Sequence, residues 1–158
     1  SGIAYKILRN NWYLENETGI FKDALEGKGF VYAGGHGKVG WAVKKDYAKA
    51  AAHALVQPFT ANTIYELSGP LLTYAELHQA FETASGKSID AIAMTIEDYK
   101  AALTRAGLPE EVVGIITAIQ ADIAAGELDV ASDDLTQLLG HTPIPITQGI
   151  ADIISDIK

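Results

Sequence analysis

The chain has 158 residues, and its 12 Lys and Arg against 20 Asp and Glu give a formal net charge of −8. Apolar residues make up 48% and charged residues 20%, which is typical of one globular domain, or one domain with a small appendage. The acidic balance excludes a general nucleic-acid binder, since phosphate binding needs clustered Lys and Arg. The absence of cysteine excludes disulfides, thiolate catalysis and metal sites built on cysteine.

The apolar runs are short compared with a membrane span. A transmembrane helix needs about 18 or more apolar residues in succession, and neither such a run nor a signal-peptide pattern occurs in the sequence. We therefore expect a cytoplasmic protein without membrane insertion.

The first half of the chain alternates between predicted strands and predicted helices. Apolar and β-branched runs predict strands at 3–8, 30–32, 39–43 and 63–67. Helical segments are predicted between 10 and 27, broken near Thr18 and Gly19, and a further helix at 47–56 is expected to be capped by Asp46. This alternation indicates an α/β fold. Because strands 3–8 and 63–67 would have unpaired edges if nothing lay beside them, the parallel sheet is predicted to be incomplete.

The second half is mostly helical. A capping box at 73–76 begins a helix that Gly86 ends, and a strand is predicted at 89–94. Stop and start residues then predict helices at 95–106, from Pro109 to about 125, from Ser132 to Gly140, and from Thr147 onward.

Residues 35–40, Gly-His-Gly-Lys-Val-Gly, match the G-x-G-x-x-G pattern of dinucleotide-binding loops. That interpretation needs a helix opening on the loop and an acidic residue about 20 positions later. Residues 41–43 are strand-like instead, and position 60 is Thr. We therefore interpret the segment as a glycine-rich hairpin or active-site loop. It is not a P-loop, because Tyr32 stands where the first glycine is required.

Other catalytic patterns are missing from the sequence. No tyrosine has a lysine four residues later, as short-chain dehydrogenases require, and no G-x-S-x-G occurs. The four histidines, His36, His53, His78 and His141, are too widely separated to predict a metal site. We expect His53 and His78 to be half-buried structural residues, whereas His36 lies in the glycine-rich loop and is a site candidate.

Two further groups have structural interpretations. Asp133 and Asp134, with Asp129 nearby, lie at a predicted helix N-terminus, where the helix dipole favours negative charge. An apolar stripe is interpreted as core or dimer surface rather than as a ligand site; it consists of Val112, Ile115, Ile116 and Ile119.

The densest polar and aromatic cluster is Arg-Asn-Asn-Trp-Tyr at 9–13. It follows a predicted strand, at the carboxyl end where open α/β sheets bind ligands. Asn and Arg side chains hold amides or phosphates, and Trp and Tyr stack on flat rings. The alternative is a strand-to-helix turn whose aromatic residues join the core, and the residues alone leave both interpretations open.

Several segments carry a family resemblance: 1–16, with Leu-Arg-Asn-Asn-Trp-Tyr inside it, 37–48, 65–77, 85–87, 106–109 and 126–140. In this order and spacing they resemble the flavin-free, type 2 NAD(P)H:quinone oxidoreductases, which are NmrA-like atypical short-chain dehydrogenases/reductases. The resemblance covers essentially the whole chain. It is consistent with the missing Tyr and Lys pair, since this family lacks that pair as well.

The resemblance implies that the chain is the C-terminal half of such a reductase, without the N-terminal dinucleotide-binding half. Residues 1–70 would be the last strands and helices of an incomplete Rossmann-like domain with active-site loops, and residues 71–158 a helical substrate-binding subdomain, with interleaved segments. NADPH or NADH is the implied cofactor of the full-length protein, and a quinone-like molecule is the implied substrate. We expect no tight cofactor binding by this chain alone.

By the same resemblance, nine residues would line the nicotinamide and quinone cleft: Asn10, Asn11, Trp12, Tyr13, His36, Gly37, Lys38, Val39 and Trp41. Tyr13 is the candidate proton donor. No metal site is expected.

Three functions are therefore considered. The first is the substrate-binding half of an NAD(P)H-dependent quinone oxidoreductase, inactive without the cofactor-binding half. The alternative from another class is a redox-inactive NAD(P)-sensing regulatory protein of the NmrA-like type, which would bind nucleotide without turnover. The third is a short interaction module; unpaired strand edges count against it, unless a homodimer covers them by exchanging strands.

Overall fold

The computed structural model describes residues 2–157, and within them the chain forms seven strands and seven α-helices. The strands are β1 Lys6–Asn10, β2 Trp12–Tyr13, β3 Phe30–Tyr32, β4 Lys38–Ala42, β5 Thr63–Leu67, β6 Leu71–Thr73 and β7 Ala91–Ala93. The helices are α1 Thr18–Leu25, α2 Lys44–Val56, α3 Tyr74–Ser85, α4 Ile96–Arg105, α5 Glu110–Ala125, α6 Asp134–Leu139 and α7 Ile146–Ile157. A 3-10 turn, Leu14–Glu17, joins β2 to α1. The predicted α/β class is confirmed.

The strands form three small sheets. β1 and β5 pair in parallel, from Lys6 beside Thr63 to Asn10 beside Leu67. β4 lies between β2, which is parallel to it, and β6, which is antiparallel, while β3 pairs in parallel with β7. Because β3 and β4 are in different sheets, the interpretation of 35–40 as a hairpin is wrong, and the segment is a loop that crosses between two sheets.

The β1–β5 sheet is covered on one side only. Leu8 and Tyr65 pack against a hydrophobic cluster, whereas Ile7 and Ile64, which are paired in register, are 43% and 47% exposed. Within residues 2–157 no third strand pairs with either edge. Parallel sheets are normally buried on both faces, so this sheet has the unpaired edges that the sequence predicts and, in addition, an open apolar face.

Two hydrophobic clusters hold the elements together. The larger cluster joins the 3-10 turn and α1 to β3, β4, α3 and α7, around Phe21, Phe30, Trp41, Phe81 and Ile150. The smaller cluster joins α2 to α6 and the end of β5. Both combine side chains from 1–70 and from 71–158; the division into two domains at this boundary stays a prediction. None of the helices in the described part of the chain has the length and apolarity to cross a membrane.

Local capping signals account for the ends of the helices in the second half. The capping box is present, with the Glu76 amide donating to Thr73 Oγ1 at 3.2 Å and the Thr73 amide donating to Glu76 Oε2 at 2.7 Å. α3 ends at Gly86, which has a left-handed φ of 67°. Thr95 caps α4 by accepting from the Asp98 amide. These predictions are confirmed because each depends on residues only a few positions apart.

The predicted Asp46 cap of α2 is wrong, whereas Asp134 lies in the first turn of α6 as predicted, and both acids bind distant backbone. The first amide of α2, that of Lys44, donates instead to the carboxylate of Glu15, at 2.9 and 3.1 Å. Asp46 is buried and accepts from the Ile144 amide at 2.7 Å, which ties α2 to the segment before α7. Asp134 accepts from the Glu66 amide at 2.8 Å and so joins α6 to β5. Two carboxylates near helix N-termini therefore also connect segments that are distant in the sequence.

The first predicted helical region also differs from the structure. Trp12 and Tyr13 belong to β2, which pairs with Trp41 and Ala42 of β4, so the helical pattern starts only after them. The predicted break near Thr18 and Gly19 corresponds to the change from the 3-10 turn, Leu14–Glu17, to α1, which begins at Thr18. Trp12 and Tyr13 directly precede the helical spacing of residues 14–25, so the apolar pattern alone does not separate the strand from the helix.

The glycine-rich loop is shaped by the close approach of α5. A Cβ atom at Gly37 would collide with the backbone carbonyl of Ile123, near the end of α5. Gly40 and Gly69 are crowded in the same way, by Ser68 and by the Trp41 carbonyl. These glycines therefore have a packing role in this fold, which explains the pattern without a phosphate.

Gly37→Ala is expected to destabilise the chain, since a rigid backbone carbonyl rather than a flexible side chain occupies the space for the new methyl group. The expected loss is about 1–3 kcal/mol or more, as for other overpacked sites. Gly114→Ala is the matched control: nothing lies within 4 Å of a Cβ there, and Gly114 is inside α5, so alanine should stabilise by about 1 kcal/mol. Urea unfolding of both variants measures the difference, and equal stability of the two would contradict this account.

Candidate functional site

A cavity of about 510 Å³ lies between α1, α4 and α5. Its wall is largely apolar and aromatic, and it contains two buried polar side chains, Glu17 and Gln120. The other lining residues include Trp12, Ile20, Asp23, Tyr74, Tyr99, Leu103, Leu108, Ile116 and Ile119. Its size is that of a small-molecule site. Ile116 and Ile119 belong to the stripe that we interpreted as core or dimer surface, so half of that stripe faces this cavity instead.

Glu17 is the buried acid of the cavity wall. It is 3% exposed, and three donors converge on one of its oxygens, Oε1: Trp12 Nε1 at 3.1 Å, Trp41 Nε1 at 3.0 Å and the Tyr74 hydroxyl at 3.1 Å. In the described part of the chain no hydrogen bond reaches Oε2. Since Glu17 lines the cavity, Oε2 is the oxygen left to interact with its contents.

The hydrogen bonds continue from Glu17 through Tyr74 into α5. Gln120 Nε2 donates to the Tyr74 hydroxyl at 2.7 Å, and Gln120 Oε1 accepts from the Ala33 amide at 2.8 Å. Tyr74 also packs face to face with Tyr32 and edge to face with Trp41. Glu17 Oε1, the Tyr74 hydroxyl and both ends of the Gln120 amide therefore all have partners, which fixes the position of the Glu17 side chain.

Burial raises the pKa of Glu17 from its ordinary 4.5 to about 7, although the hydrogen bonds from Trp41, Tyr74 and Trp12 act in the opposite direction. Loss of water penalises a buried carboxylate, and within residues 2–157 no cation contacts this one to offset the penalty. The pKa of Tyr74 is raised well above its ordinary value, chiefly by burial and then by the charge of Glu17, so its hydroxyl stays a donor. Burial also raises the pKa of Tyr99 to about 12.

A second, smaller cavity of about 160 Å³ lies at the carboxyl ends of β1 and β5. It is lined by Arg9, Asn10 and Asn11, by residues 66–68, and by residues 127, 128 and 130. Arg9 and Glu66 form an ion pair of 2.7 Å at its edge. Carboxyl ends of parallel strands are where open α/β sheets bind ligands, so the position agrees with the interpretation of 9–13 as a site.

Of the residues at 10–13, Asn11 has a structural role, whereas Asn10, Trp12 and Tyr13 keep groups that could contact a ligand. Both ends of the Asn11 amide are used, since Nδ2 donates to the Leu128 carbonyl and Oδ1 accepts from the Gly40 amide. Asn10 Nδ2 donates to the Tyr13 hydroxyl at 3.0 Å, which leaves the phenolic proton of Tyr13 without an acceptor among the described residues. Trp12 lines the large cavity, and Tyr13 packs edge to face on Tyr47.

Tyr13, which follows Trp12 in the chain, and the predicted site residues of 36–41 line neither cavity. Val39 and Trp41 are fully buried, and Trp41 lies behind the wall of the large cavity, where it holds Glu17. His36 and Lys38 are exposed on the loop before and at the start of β4. The contact of residues 36–41 with a ligand stays a prediction.

His53 and His78 each contact a backbone carbonyl. His78 is half-buried, as predicted, with Nε2 2.7 Å from the Ile89 carbonyl. His53 is exposed rather than half-buried, and its Nδ1 lies 2.6 Å from the Leu138 carbonyl of α6, the helix that packs against α2. Among residues 2–157 no group of three His, Asp or Glu side chains could hold a metal ion.

Sequence reasoning missed Glu17, Tyr74, Tyr99 and Gln120. One signal was available for Glu17, which occupies the spacing of Leu14, Phe21 and Ala24 on the buried side of the turn and α1. An acidic residue at an apolar position of a helical pattern points to a buried carboxyl group. The other three come from α3, α4 and α5, and nothing local in the sequence marks them.

Comparison with known proteins identifies relatives over nearly the whole chain. Quinone oxidoreductase 2 of Escherichia coli (strain K12) is 31% identical over 98% of this chain and 54% of its own length. The NAD(P)H azoreductase of Xenophilus azovorans is 33% identical over 82% of this chain and 47% of its own length. The crystal structure of the E. coli NADPH-dependent quinone oxidoreductase complexed with NADPH has a TM-score of 0.88 at 31% identity, covering 97% of this chain and 54% of that chain.

The quinone oxidoreductase and the azoreductase to which this chain is similar are both NAD(P)H-dependent reductases. The resemblance to quinone oxidoreductases that the sequence indicates is thus confirmed, although no protein-family model matches the chain. The chain spans about half the length of the relatives it matches. The likeness in fold extends over both cavities, since 97% of the chain is superposed.

Glu17→Gln is expected to change how stability depends on pH. Between pH 4.5 and 7 the folded state keeps a proton on Glu17 that the unfolded chain releases, so the stability of the wild type falls as the pH rises through this range. Glutamine has no such proton and keeps the shape of the side chain. Relative to the variant, the wild type should therefore lose about 2–3 kcal/mol between pH 5 and pH 8.

Urea unfolding of both proteins at several pH values measures this difference. Asp23→Asn, a change at an exposed acid of the same cavity, is the control and should follow the wild type. Parallel stability profiles for the wild type and Glu17→Gln would show that Glu17 does not titrate in this range.

Proposed function

We propose that this chain is the substrate-binding half of an NAD(P)H-dependent quinone oxidoreductase and that turnover requires a dinucleotide-binding half. The observation that carries the proposal is the β1–β5 sheet, whose edges are unpaired and whose Ile7 and Ile64 side chains are exposed within the described chain. Such a sheet is suited to continue into further parallel strands, with helices on its open face. The match to about half of reductases that use NAD(P)H supports the same conclusion.

The two cavities divide the work in this proposal. The small cavity, at the carboxyl ends of β1 and β5, is the place for the nicotinamide end of the cofactor, beside Asn10 and Asn11. The large cavity, whose wall includes Trp12, takes the ring of the quinone. The dinucleotide would supply the hydride for the reduction, and positioning of cofactor and quinone by these residues would supply most of the catalysis.

Tyr13 is the proposed proton donor to the reduced quinone. Its hydroxyl accepts a hydrogen bond from Asn10 Nδ2, and no described residue accepts its proton. A phenol held in this way keeps its proton available for an oxyanion of the substrate. Lys44 Nζ lies 5.9 Å from the centre of the Tyr13 ring, so a positive charge is also nearby.

Turnover is tested by oxidation of NADPH, followed at 340 nm, with 1,4-naphthoquinone as acceptor. This chain alone is expected to show no oxidation above background. A fusion that joins the unmatched part of the E. coli quinone oxidoreductase to this chain is expected to restore it, because the fusion supplies the missing strands and the cofactor site. Oxidation by the chain alone would overturn the need for a second half. A folded fusion that binds NADPH without any turnover would favour a nucleotide sensor.

In an active fusion, Tyr13→Phe should lower kcat by about 100-fold or more if Tyr13 delivers the proton, with little change in the KM for NADPH. Tyr5→Phe is the control, since it makes the same chemical change at an exposed tyrosine in the segment before β1. Steady-state kinetics of both variants measure the effect, and an unchanged kcat for Tyr13→Phe would remove Tyr13 from the proposal.

A further inference from the structure

The position of the Glu17 proton follows from its hydrogen bonds. A neutral carboxyl group carries one proton, on one of its two oxygens. Oε1 already accepts from Trp12, Trp41 and Tyr74, and a proton there would face three donors. The proton of neutral Glu17 therefore resides on Oε2. That oxygen has no partner among the described residues, and Glu17 lines the large cavity.

We infer that protonated Glu17 is the recognition group of the large cavity, and that it donates a hydrogen bond from Oε2 to the carbonyl oxygen of a neutral, planar ligand. This inference rests on the proposed function, because it specifies how the same cavity selects its substrate. It assigns Glu17 to binding and leaves proton transfer to another residue.

The rest of the cavity favours the same kind of ligand. Five isoleucine and leucine side chains make much of the wall apolar, and Trp12 and Tyr99 offer ring surfaces for stacking. Its acids are Glu17, which is neutral under this inference, and Asp23, which is paired with Lys28 at 2.7 Å; among the described residues no Lys, Arg or His lines it. An anionic ligand would therefore lose its hydration without gaining a cation, so a neutral carbonyl compound is preferred over a carboxylate.

The groups that surround Glu17 on the neighbouring elements are either neutral or exposed at the surface. Tyr74 from α3 and Tyr99 from α4 have raised pKa values and stay neutral. β2, β4 and α5 contribute the neutral donors Trp12 and Trp41 and the amide of Gln120. Lys22 and Asp23 of α1 are exposed, as are Asp152 and Asp156 of α7, which packs against the 3-10 turn through buried isoleucines. Glu17 is therefore the buried acid whose state should control binding.

The test is the dissociation constant of 1,4-naphthoquinone, measured by equilibrium dialysis against the whole chain at pH 6 and pH 8. Only the protonated fraction of Glu17 is competent, so the wild type is expected to bind about tenfold more weakly at pH 8 than at pH 6. The chain has no cysteine, so addition of a thiol to the quinone does not disturb the measurement.

Glu17→Gln separates recognition from packing. Its amide can keep Oε1 towards the three donors and point Nε2, which donates at every pH, into the cavity; its affinity should be equal at pH 6 and pH 8. Asp23→Asn removes the other acid of the cavity and should keep the tenfold dependence of the wild type. Circular dichroism of each variant at both pH values verifies that it is folded.

Three results would overturn the inference: equal affinity of the wild type at the two pH values, the same pH dependence in folded Glu17→Gln, or binding of 1-naphthoate as tight as that of naphthoquinone. None of them decides the proposed function, which depends on NADPH oxidation by the fusion. Conversely, an inactive fusion with pH-dependent naphthoquinone binding would retain the recognition role of Glu17 and reject the reductase.

Discussion

The convergence of three donors on one oxygen of Glu17 is the interaction on which the site depends. Trp12 comes from β2, Trp41 from β4 and Tyr74 from the first turn of α3, so one carboxyl group connects a sheet to a helix through the 3-10 turn. Through Gln120 and the Ala33 amide, the same contacts reach α5 and the end of β3. A buried acid without a cation is costly, and its partners are satisfied only when all these elements are in place. The group thereby makes the cavity wall specific to one arrangement of the fold.

The fold combines a closed part with an open part. The larger hydrophobic cluster encloses the 3-10 turn, α1, α3 and α7 with β3 and β4, and it is complete within the described chain. The β1–β5 sheet, by contrast, has apolar residues on a face that nothing in the described chain covers. The small cavity lies at the end of this open sheet, whereas the large cavity lies beside the closed part. Under the proposed function, the quinone site in the large cavity would be built by this chain, whereas the nicotinamide site in the small cavity would also border the strands that extend the sheet.

The sequence was informative where a structure depends on nearby residues. The Thr73 and Glu76 capping box, the stop at Gly86 and the limits of β5 were all predicted correctly, because each is decided within one or two turns or a single alternating run. Strand pairing was not accessible in this way: β1 pairs with a strand 57 positions later, and β3 with one 61 positions later. Asp46 and Asp134 were assigned to helix ends since both lie near one, yet their partners are 98 and 68 residues away.

The candidate site was only partly predicted for the same reason. Trp12 was recognised from its neighbours, but Glu17 gains its significance from Trp41 and Tyr74, which come from elsewhere in the chain.

The two tryptophans have a consequence for how this molecule can be observed. They are the only two in the sequence, and both indole N–H groups point to the same carboxyl oxygen. Ionisation of Glu17 would place a negative charge beside both indole rings at once, in a region with little water to screen it. All of the indole emission of the chain thus originates next to one titrating group. The molecule carries its own optical indicator of the electric field in the cavity wall, and no dye or label needs to be attached to it.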